Sequence, residues 1–174
     1  MKLLILDIDG VMTDGRKYYG LDGMPFAKTY CDKDFTAIKF LKAAGVKVCF
    51  LSGDNKVNEK MAENRNCDFY YAQGRDKSEF LKDFTEIYGI EPSQMAYVGD
   101  DLFDYNIMKE VGYSFCPSDA SSFIIKLCEE NKNVIDRPAG NNVIARLLDI
   151  LLDRNLVRTV TIQEIEELDK NEKF

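Results

Sequence analysis

The 174-residue sequence contains no histidine. That absence removes Ser-His-Asp triads, histidine-bound metals and imidazole acid/base catalysis. Any proton transfer must fall to Asp, Glu, Lys, Tyr or Cys. A CxxC pair is missing too. The five cysteines, Cys31, Cys49, Cys67, Cys116 and Cys128, are odd in number and widely spaced, which argues against a zinc site or a redox couple. Cys49, within VCFL, reads as a small core residue in a reducing compartment. No apolar run reaches the length of a membrane-spanning helix, and Lys2 followed by four apolar residues does not make a signal peptide. The expected location is the cytoplasm, with no membrane partner. Positive charge is in short supply: 23 Lys and Arg against 30 Asp and Glu leave a net charge of −7. A nucleic-acid binder needs a basic footprint, so none is expected. Internal repeats and low-complexity tracts are absent.

What is present fits an ordinary globular chain, 45% hydrophobic and 30% charged, long enough to bury one sizeable core. Strand-like runs fall at Lys2–Leu6, Val46–Leu51, Phe69–Tyr71, Met95–Val98 and Tyr113–Phe115. Segments of helical spacing separate them. FTAIKFLKAAG groups Phe35, Ile38 and Leu41 and stops at Gly45, with Asp34 expected as its N-cap. Ser78–Tyr88, Leu102–Val111, Ser122–Glu130 and Asn142–Asp153 behave alike. Strands alternating with helices predict an α/β fold with a doubly wound parallel sheet. One segment breaks the alternation: residues 16–31, RKYYGLDGMPFAKTYC, predict a β-hairpin around Asp22-Gly23. The expected division is a core over residues 1–157, carrying that hairpin as a flap, and an acidic helical tail over 158–174. The tail opens on a capping box from Thr161 to Glu164, and its last few residues are expected to fray.

In an open parallel sheet, ligands bind beyond the carboxyl ends of the strands. The residues that follow each predicted strand are the informative ones. Asp7 and Asp9 follow the first, Ser52-Gly53-Asp54 the second, Lys77 opens a helix after the third, and Gly99-Asp100-Asp101 with Asp104 follows the fourth. Taken singly, each has an ordinary reading as a turn, a helix cap or a solvated lysine. Their recurrence after successive strands is what points to a site. Gathered together, Asp7, Asp9 and Asp100 would repel by roughly 4 kcal/mol per pair at ~4 Å and an effective dielectric of ~20. A divalent cation removes that penalty, and all-oxygen ligation favours Mg²⁺ over zinc. With Lys77, the cation converts an acidic pocket into one that accepts a phosphoryl group. Ser52 and backbone N–H groups could hold its remaining oxygens. A carboxylate against phosphorus can attack it, and a second carboxylate two residues on can protonate the leaving alcohol and then activate water.

The segments DIDGVMTD, LSGD, RDKSEF and GDDLFD together resemble the haloacid dehalogenase superfamily, whose pattern is DxDG[VT]xTD, a Ser or Thr, a Lys, and GDxxxD. The match spans residues 3 to about 118. The resemblance implies a phosphatase with Asp7 as nucleophile and Asp9 as general acid/base. It implies Mg²⁺ held by the Asp7 carboxylate, the Asp9 backbone carbonyl and Asp100. Ser52 and Lys77 would bind the phosphoryl group, with Asp101 and Asp104 supporting them. No gap is long enough for the cap domain that most members insert. More closely, DGVMTDGRKYY, AYVGDDLFD and AGNNVIARLLDILL are similar to the phosphatases of 3-deoxy-octulosonate 8-phosphate and 2-keto-3-deoxynononate 9-phosphate. Those form tetramers whose hairpins pack together, which implies a homotetramer and a sugar acid phosphate as substrate here. Asp54 stands where the octulosonate enzymes tend to carry Arg. That leaves Lys60 and Arg65 as candidates for gripping a substrate carboxylate, alongside Thr13, Gly53 and Asp54 as further substrate-binding candidates. Three alternatives stay open: a phosphatase acting on another phosphorylated substrate, a catalytically silent regulatory domain, and a receiver-like domain that stores a phosphoryl group.

Overall fold

The computed structural model of the protein describes residues 1–171. The chain begins with β1 (Leu3–Leu6), leaves the sheet for a hairpin of β2 (Tyr18–Tyr19) and β3 (Pro25–Ala27), and returns through α1 (Asp32–Ala43). It continues as β4 (Lys47–Ser52), α2 (Val57–Asn64), β5 (Asp68–Tyr71), α3 (Phe80–Tyr88), β6 (Met95–Val98) and α4 (Tyr105–Glu110). β7 (Tyr113–Pro117), α5 (Ser122–Glu129), β8 (Val134–Ile135), α6 (Val143–Asp153) and α7 (Ile162–Asn171) complete it. The six long-range strands form one parallel sheet in the order β5-β4-β1-β6-β7-β8.

β1 lies inside the sheet, and all four of its side chains are fully buried. Because side chains alternate across a strand, Leu4 and Leu6 join one apolar cluster with Phe35, Ile38 and Leu41 of α1 and Leu147 and Leu151 of α6. Leu3 and Ile5 join the other, with Phe80 and Phe84 of α3, Ile107 of α4 and Ile124 of α5. Two apolar faces covered by two helical layers are the doubly wound architecture that the alternation predicts. Strand β8 has no counterpart in that reading; a two-residue strand is too short to show a period.

Asp34 is not the N-cap of α1. The helix starts two residues earlier, after Cys31, and Asp34 is completely buried. Its Oδ1 accepts the backbone N–H groups of Ile144 at 2.8 Å and Ala145 at 2.9 Å, so it caps α6 instead. Asn142, the residue before α6, makes no capping bond of its own, and α1 supplies across space what the local sequence does not.

The hairpin forms at the predicted place. The Met24 N–H donates to Asp22 Oδ1 at 3.0 Å, and Gly23 takes the positive φ of +74° that the turn needs. Its apolar side chains face outward, Tyr19 being 61% and Phe26 65% exposed. At the other end of the chain, Glu164 accepts from the Thr161 N–H and Thr161 Oγ1 accepts from the Glu164 N–H, the reciprocal box expected there. α7 packs along α1, with an ion pair between Lys39 and Asp169. The expected fraying falls on residues 172–174, outside the described residues. No described helix is long and apolar enough to cross a membrane.

Candidate active site

The carboxyl ends of β1, β4, β5 and β6 open onto one cavity of about 590 Å³. Asp7, Asp9, Ser52, Gly53, Asp54, Lys77, Asp100, Asp101 and Asp104 all line it. Every expected residue of catalysis, metal binding and support is therefore gathered in one place.

Asp7 is the first residue past β1, and its N–H donates to Val98 O at 3.0 Å, which extends the sheet pairing by one residue. The apolar strand behind it leaves the carboxylate nearly buried, and Lys77 Nζ lies 3.0 Å from Asp7 Oδ1. Lys77 enters from the short turn Lys77–Glu79 after β5, whose start is capped by the Asp76 side chain. Its ammonium also lies 2.6 Å from Asp104 Oδ1 and 3.1 Å from the Tyr97 hydroxyl. Asp104 has no free oxygen. Its Oδ1 accepts from Lys77 and from Tyr97 at 2.6 Å, and its Oδ2 accepts the N–H groups of Asp100 at 2.9 Å and Asp101 at 3.1 Å. Asp104 thus folds the Gly99–Asp101 loop and aims Lys77. Asp101 caps the following turn through the Leu102 N–H at 2.6 Å.

Asp7, Asp100 and Asp104 offer carboxylate oxygens within 4.8 Å of one another. With Asp104 saturated, the oxygens open to a cation belong to Asp7 and Asp100. Asp100 Oδ1 is buried and has no hydrogen-bond partner among the described residues, an arrangement that costs stability unless something compensates it. The loop opposite is shaped around this carboxylate. A Cβ on Gly10 would meet Asp100 Oδ2 at 2.1 Å, and Gly10 has a φ of +91°. The all-oxygen donor set fits a hard divalent cation.

Electrostatics agree with that fit. Burial raises the Asp7 carboxyl, Lys77 opposes the rise and Asp104 adds to it, leaving the group at about 7. Burial and then the charges of Asp7 and Asp104 push Asp100 up to about 8. For Lys77, burial works against the ammonium, but Asp7 and Asp104 more than offset it and hold its pKa above the ordinary value. Raised carboxyl pKa values mean that the metal-free native state binds more protons than the unfolded chain from the ordinary carboxylate range up to about pH 8. Native stability therefore falls as pH rises through that window. Without metal, the melting temperature is expected to fall between about pH 5.5 and 8.5. An added divalent cation should raise it more at the upper end, because the cation replaces protons. Equal stabilisation at both ends, measured by thermal unfolding, would contradict this.

Across the cavity lies a second, partly buried network. Lys28, just past β3, brings its ammonium to 2.8 Å from Asp9, 2.8 Å from Asp54 and 2.7 Å from Asn58 Oδ1. Lys17 reaches Asp54 at 3.0 Å and Asp9 at 3.5 Å. Burial would raise Asp54, but the hydrogen bonds from Lys28 and Lys17 prevail and hold it down at about 2. Asn58 Nδ2 donates to Ser52 Oγ at 3.0 Å, and Ser52 Oγ also accepts the Asp54 N–H at 3.2 Å.

Three expected substrate-binding residues do not line the cavity. Thr13 is fully buried beneath the Asp9 loop, its Oγ1 3.5 Å from Asp9 Oδ1 and accepting the Gly15 N–H at 3.2 Å; it braces the loop. Lys60 is on the outer face of α2, paired with Glu63 at 2.7 Å. Arg65 lies over the Phe35 ring at 3.9 Å and faces Asp32. In their place the hairpin delivers Lys17, and the loop after β5 delivers Arg75. Sequence reasoning misses Lys17, Lys28, Asn58, Arg75 and Tyr97. Tyr97 leaves a signal as the hydroxyl-bearing residue in the otherwise apolar run MAYV, and Arg75 as a neighbour of Lys77.

Comparison with known proteins gives the same family. The family profile of haloacid dehalogenase-like hydrolases matches residues 55–148, more than half of the chain. The 3-deoxy-D-manno-octulosonate 8-phosphate phosphatase of Salmonella typhimurium is 30% identical over 153 residues, covering 87% of this chain and 79% of its own. Among solved structures, the cobalt-bound deoxy-D-mannose-octulosonate 8-phosphate phosphatase of Haemophilus influenzae superposes with a TM-score of 0.80 at 27% identity, covering 88% of each chain. The 3-deoxy-D-manno-octulosonate 8-phosphate phosphatase of Yersinia pestis gives 0.79 at 29% identity, covering 93% of this chain and 88% of its own. The chain belongs to the haloacid dehalogenase-like hydrolases and is a phosphoric monoester hydrolase.

Proposed function

We propose that the protein hydrolyses the phosphate monoester of a 2-keto-3-deoxy sugar acid through an aspartyl-phosphate on Asp7. The observation that carries this reading is the pairing of Asp7 with Lys77 at 3.0 Å in a buried strand end, with Asp9 and Ser52 lining the same cavity. Asp7 attacks phosphorus, the ester oxygen departs, and Asp9 gives it a proton. Asp9 then takes a proton from water, the water oxygen bonds to phosphorus, and Asp7 leaves as a free carboxylate with inorganic phosphate. Lys77 and Ser52 hold the phosphoryl oxygens during both transfers. Mg²⁺, held by the carboxylates of Asp7 and Asp100 and the backbone carbonyl of Asp9, would supply the charge that neutralises the phosphoryl oxygens.

Lys17 and Arg75 join Lys77 as the basic side chains lining the cavity among the described residues, and they are the groups available to a substrate carboxylate. The cavity is open, and the exposed aromatics of the hairpin need covering. A homotetramer that packs the hairpins together meets both needs, and sedimentation should return four times the 19.9 kDa chain mass. The decisive experiment is phosphate release from 3-deoxy-D-manno-octulosonate 8-phosphate and 2-keto-3-deoxynononate 9-phosphate, with and without Mg²⁺. Release from at least one, only with Mg²⁺, is the expected result. Release from simple sugar phosphates but neither acid would reassign the substrate, and no release from any monoester would overturn the proposal.

A further inference from the structure

Lys28 is an unusual lysine. Its backbone is partly exposed, yet its side chain is fully covered, 0% accessible, although it comes from an exposed hairpin. A buried ammonium is costly unless each of its protons is satisfied. Here the satisfaction is complete: Asp9, Asp54 and Asn58 supply three acceptors at 2.8, 2.8 and 2.7 Å. No proton is left for a substrate. Lys28 does not line the cavity, whereas Asp9 and Asp54 both do.

The acceptors are informative in their own right. Asn58 is completely buried on α2 and donates through one amide nitrogen to Ser52 Oγ at 3.0 Å and to Asp9 Oδ2 at 3.4 Å. Its oxygen also accepts from the Tyr30 hydroxyl at 3.3 Å. One ammonium therefore ties the exit of the hairpin to three things: the carboxylate two residues past Asp7, the loop after β4, and the helix that carries Asn58. Remove it, and what remains on Asp9 is Lys17 at 3.5 Å, Asn58 at 3.4 Å and Thr13 at 3.5 Å, all at the outer limit of hydrogen bonding.

We propose that Lys28 is a positioning residue that aims the Asp9 carboxyl at the departing ester oxygen, so that a seated hairpin is a condition for proton delivery. The inference rests on the phosphatase reading and on Asp9 as its acid. A proton donor contributes only where the leaving group needs its proton. A primary alcohol leaves as a strongly basic alkoxide and needs one; p-nitrophenolate does not. Positioned acids of this kind contribute about 10²–10⁴-fold, and a carboxyl that is no longer held loses part of that.

The experiment compares kcat/KM of wild type and Lys28→Met on whichever of the two sugar acid phosphates, or failing both another primary alkyl phosphate, the wild type hydrolyses and on p-nitrophenyl phosphate, with Mg²⁺ present. This constant covers the steps up to transfer of the phosphoryl group to Asp7, so it isolates departure of the alcohol. The expected result is a loss at least about tenfold larger on the alkyl phosphate than on the aryl ester, within the range such acids supply. A role confined to holding the fold would lower both alike, and equal losses would overturn the proposal. Because Lys28→Met leaves Asp54 less well paired, Lys28→Met/Asp54→Asn removes that charge and is measured beside it. The double variant must show the same selective loss, and a folded double variant with the wild-type ratio would also overturn the proposal. Wild-type protein that releases phosphate from no monoester would instead defeat the phosphatase reading itself.

Discussion

Asp7→Asn is expected to abolish phosphate release while leaving the fold intact. Asparagine keeps the shape of the side chain but cannot attack phosphorus, and losing a covalent nucleophile costs several orders of magnitude, roughly 10³-fold or more. The stability arm has the opposite sign. Burial disfavours the Asp7 carboxylate, and Asp104 adds to the penalty, so a neutral side chain relieves the cluster. Lys77 keeps Asp104 at 2.6 Å and the Tyr97 hydroxyl at 3.1 Å as partners. Without metal and at about pH 8, the variant should melt no lower than wild type. Turnover within tenfold of wild type on a substrate that the wild type hydrolyses would remove Asp7 from the nucleophile's role. A collapsed melting temperature would show that its charge is needed for folding.

Asp104→Ala should do the reverse and strike stability first. Asp104 is 1% exposed and accepts four donors: the Lys77 ammonium, the Tyr97 hydroxyl and the backbone N–H groups of Asp100 and Asp101. Alanine leaves a buried ammonium with Asp7 as its remaining counter-charge and frees two backbone donors inside the protein. Breaking a buried pair on one side costs about 3–5 kcal/mol. At 2–4 °C per kcal/mol for a chain of this size, the melting temperature should fall by about 10 °C. Activity falls with it, since the loop that presents Asp100 is folded around Asp104. A drop below about 3 °C in calorimetry would show that water or Tyr97 compensates and that the network is weaker than its distances imply.

Both of these aspartates are legible in the amino-acid sequence. Asp7 and Asp104 lie immediately past or near the ends of β1 and β6, apolar runs long enough to be recognised as strands. The parallel fold then requires their ends to share an edge. The same logic places Ser52, Lys77 and Asp100. Lys60 and Arg65, nominated by the family resemblance rather than by a strand end, do not line the cavity, because a position on or just after the short helix between β4 and β5 does not say which face turns to it. Lys60 turns outward, and Arg65 packs on Phe35. Lys17 and Lys28 escape notice for another reason. The aromatics dominate their hairpin, and nothing in RKYYGLDGMPFAK distinguishes a lysine that points to water from one drawn onto Asp9 and Asp54. Asp34 misleads because a carboxylate near a helix start is ordinarily that helix's own cap, and its true partner lies 110 positions away.

That distant partnership has a consequence for how the chain is made. By the time Asp104 leaves the ribosome, Asp7, Asp9, Ser52, Lys77 and Asp100 have all been synthesised. The nascent chain then holds every group the proposed chemistry uses. It still lacks α6, so Phe35, Ile38 and Leu41 of α1 stand without Leu147 and Leu151 against them, and Asp34 holds a carboxylate with no helix to cap. The last third of the chain adds no group that the proposed chemistry uses. It closes the apolar face of the first helix, so synthesis finishes the chemistry well before it finishes the fold.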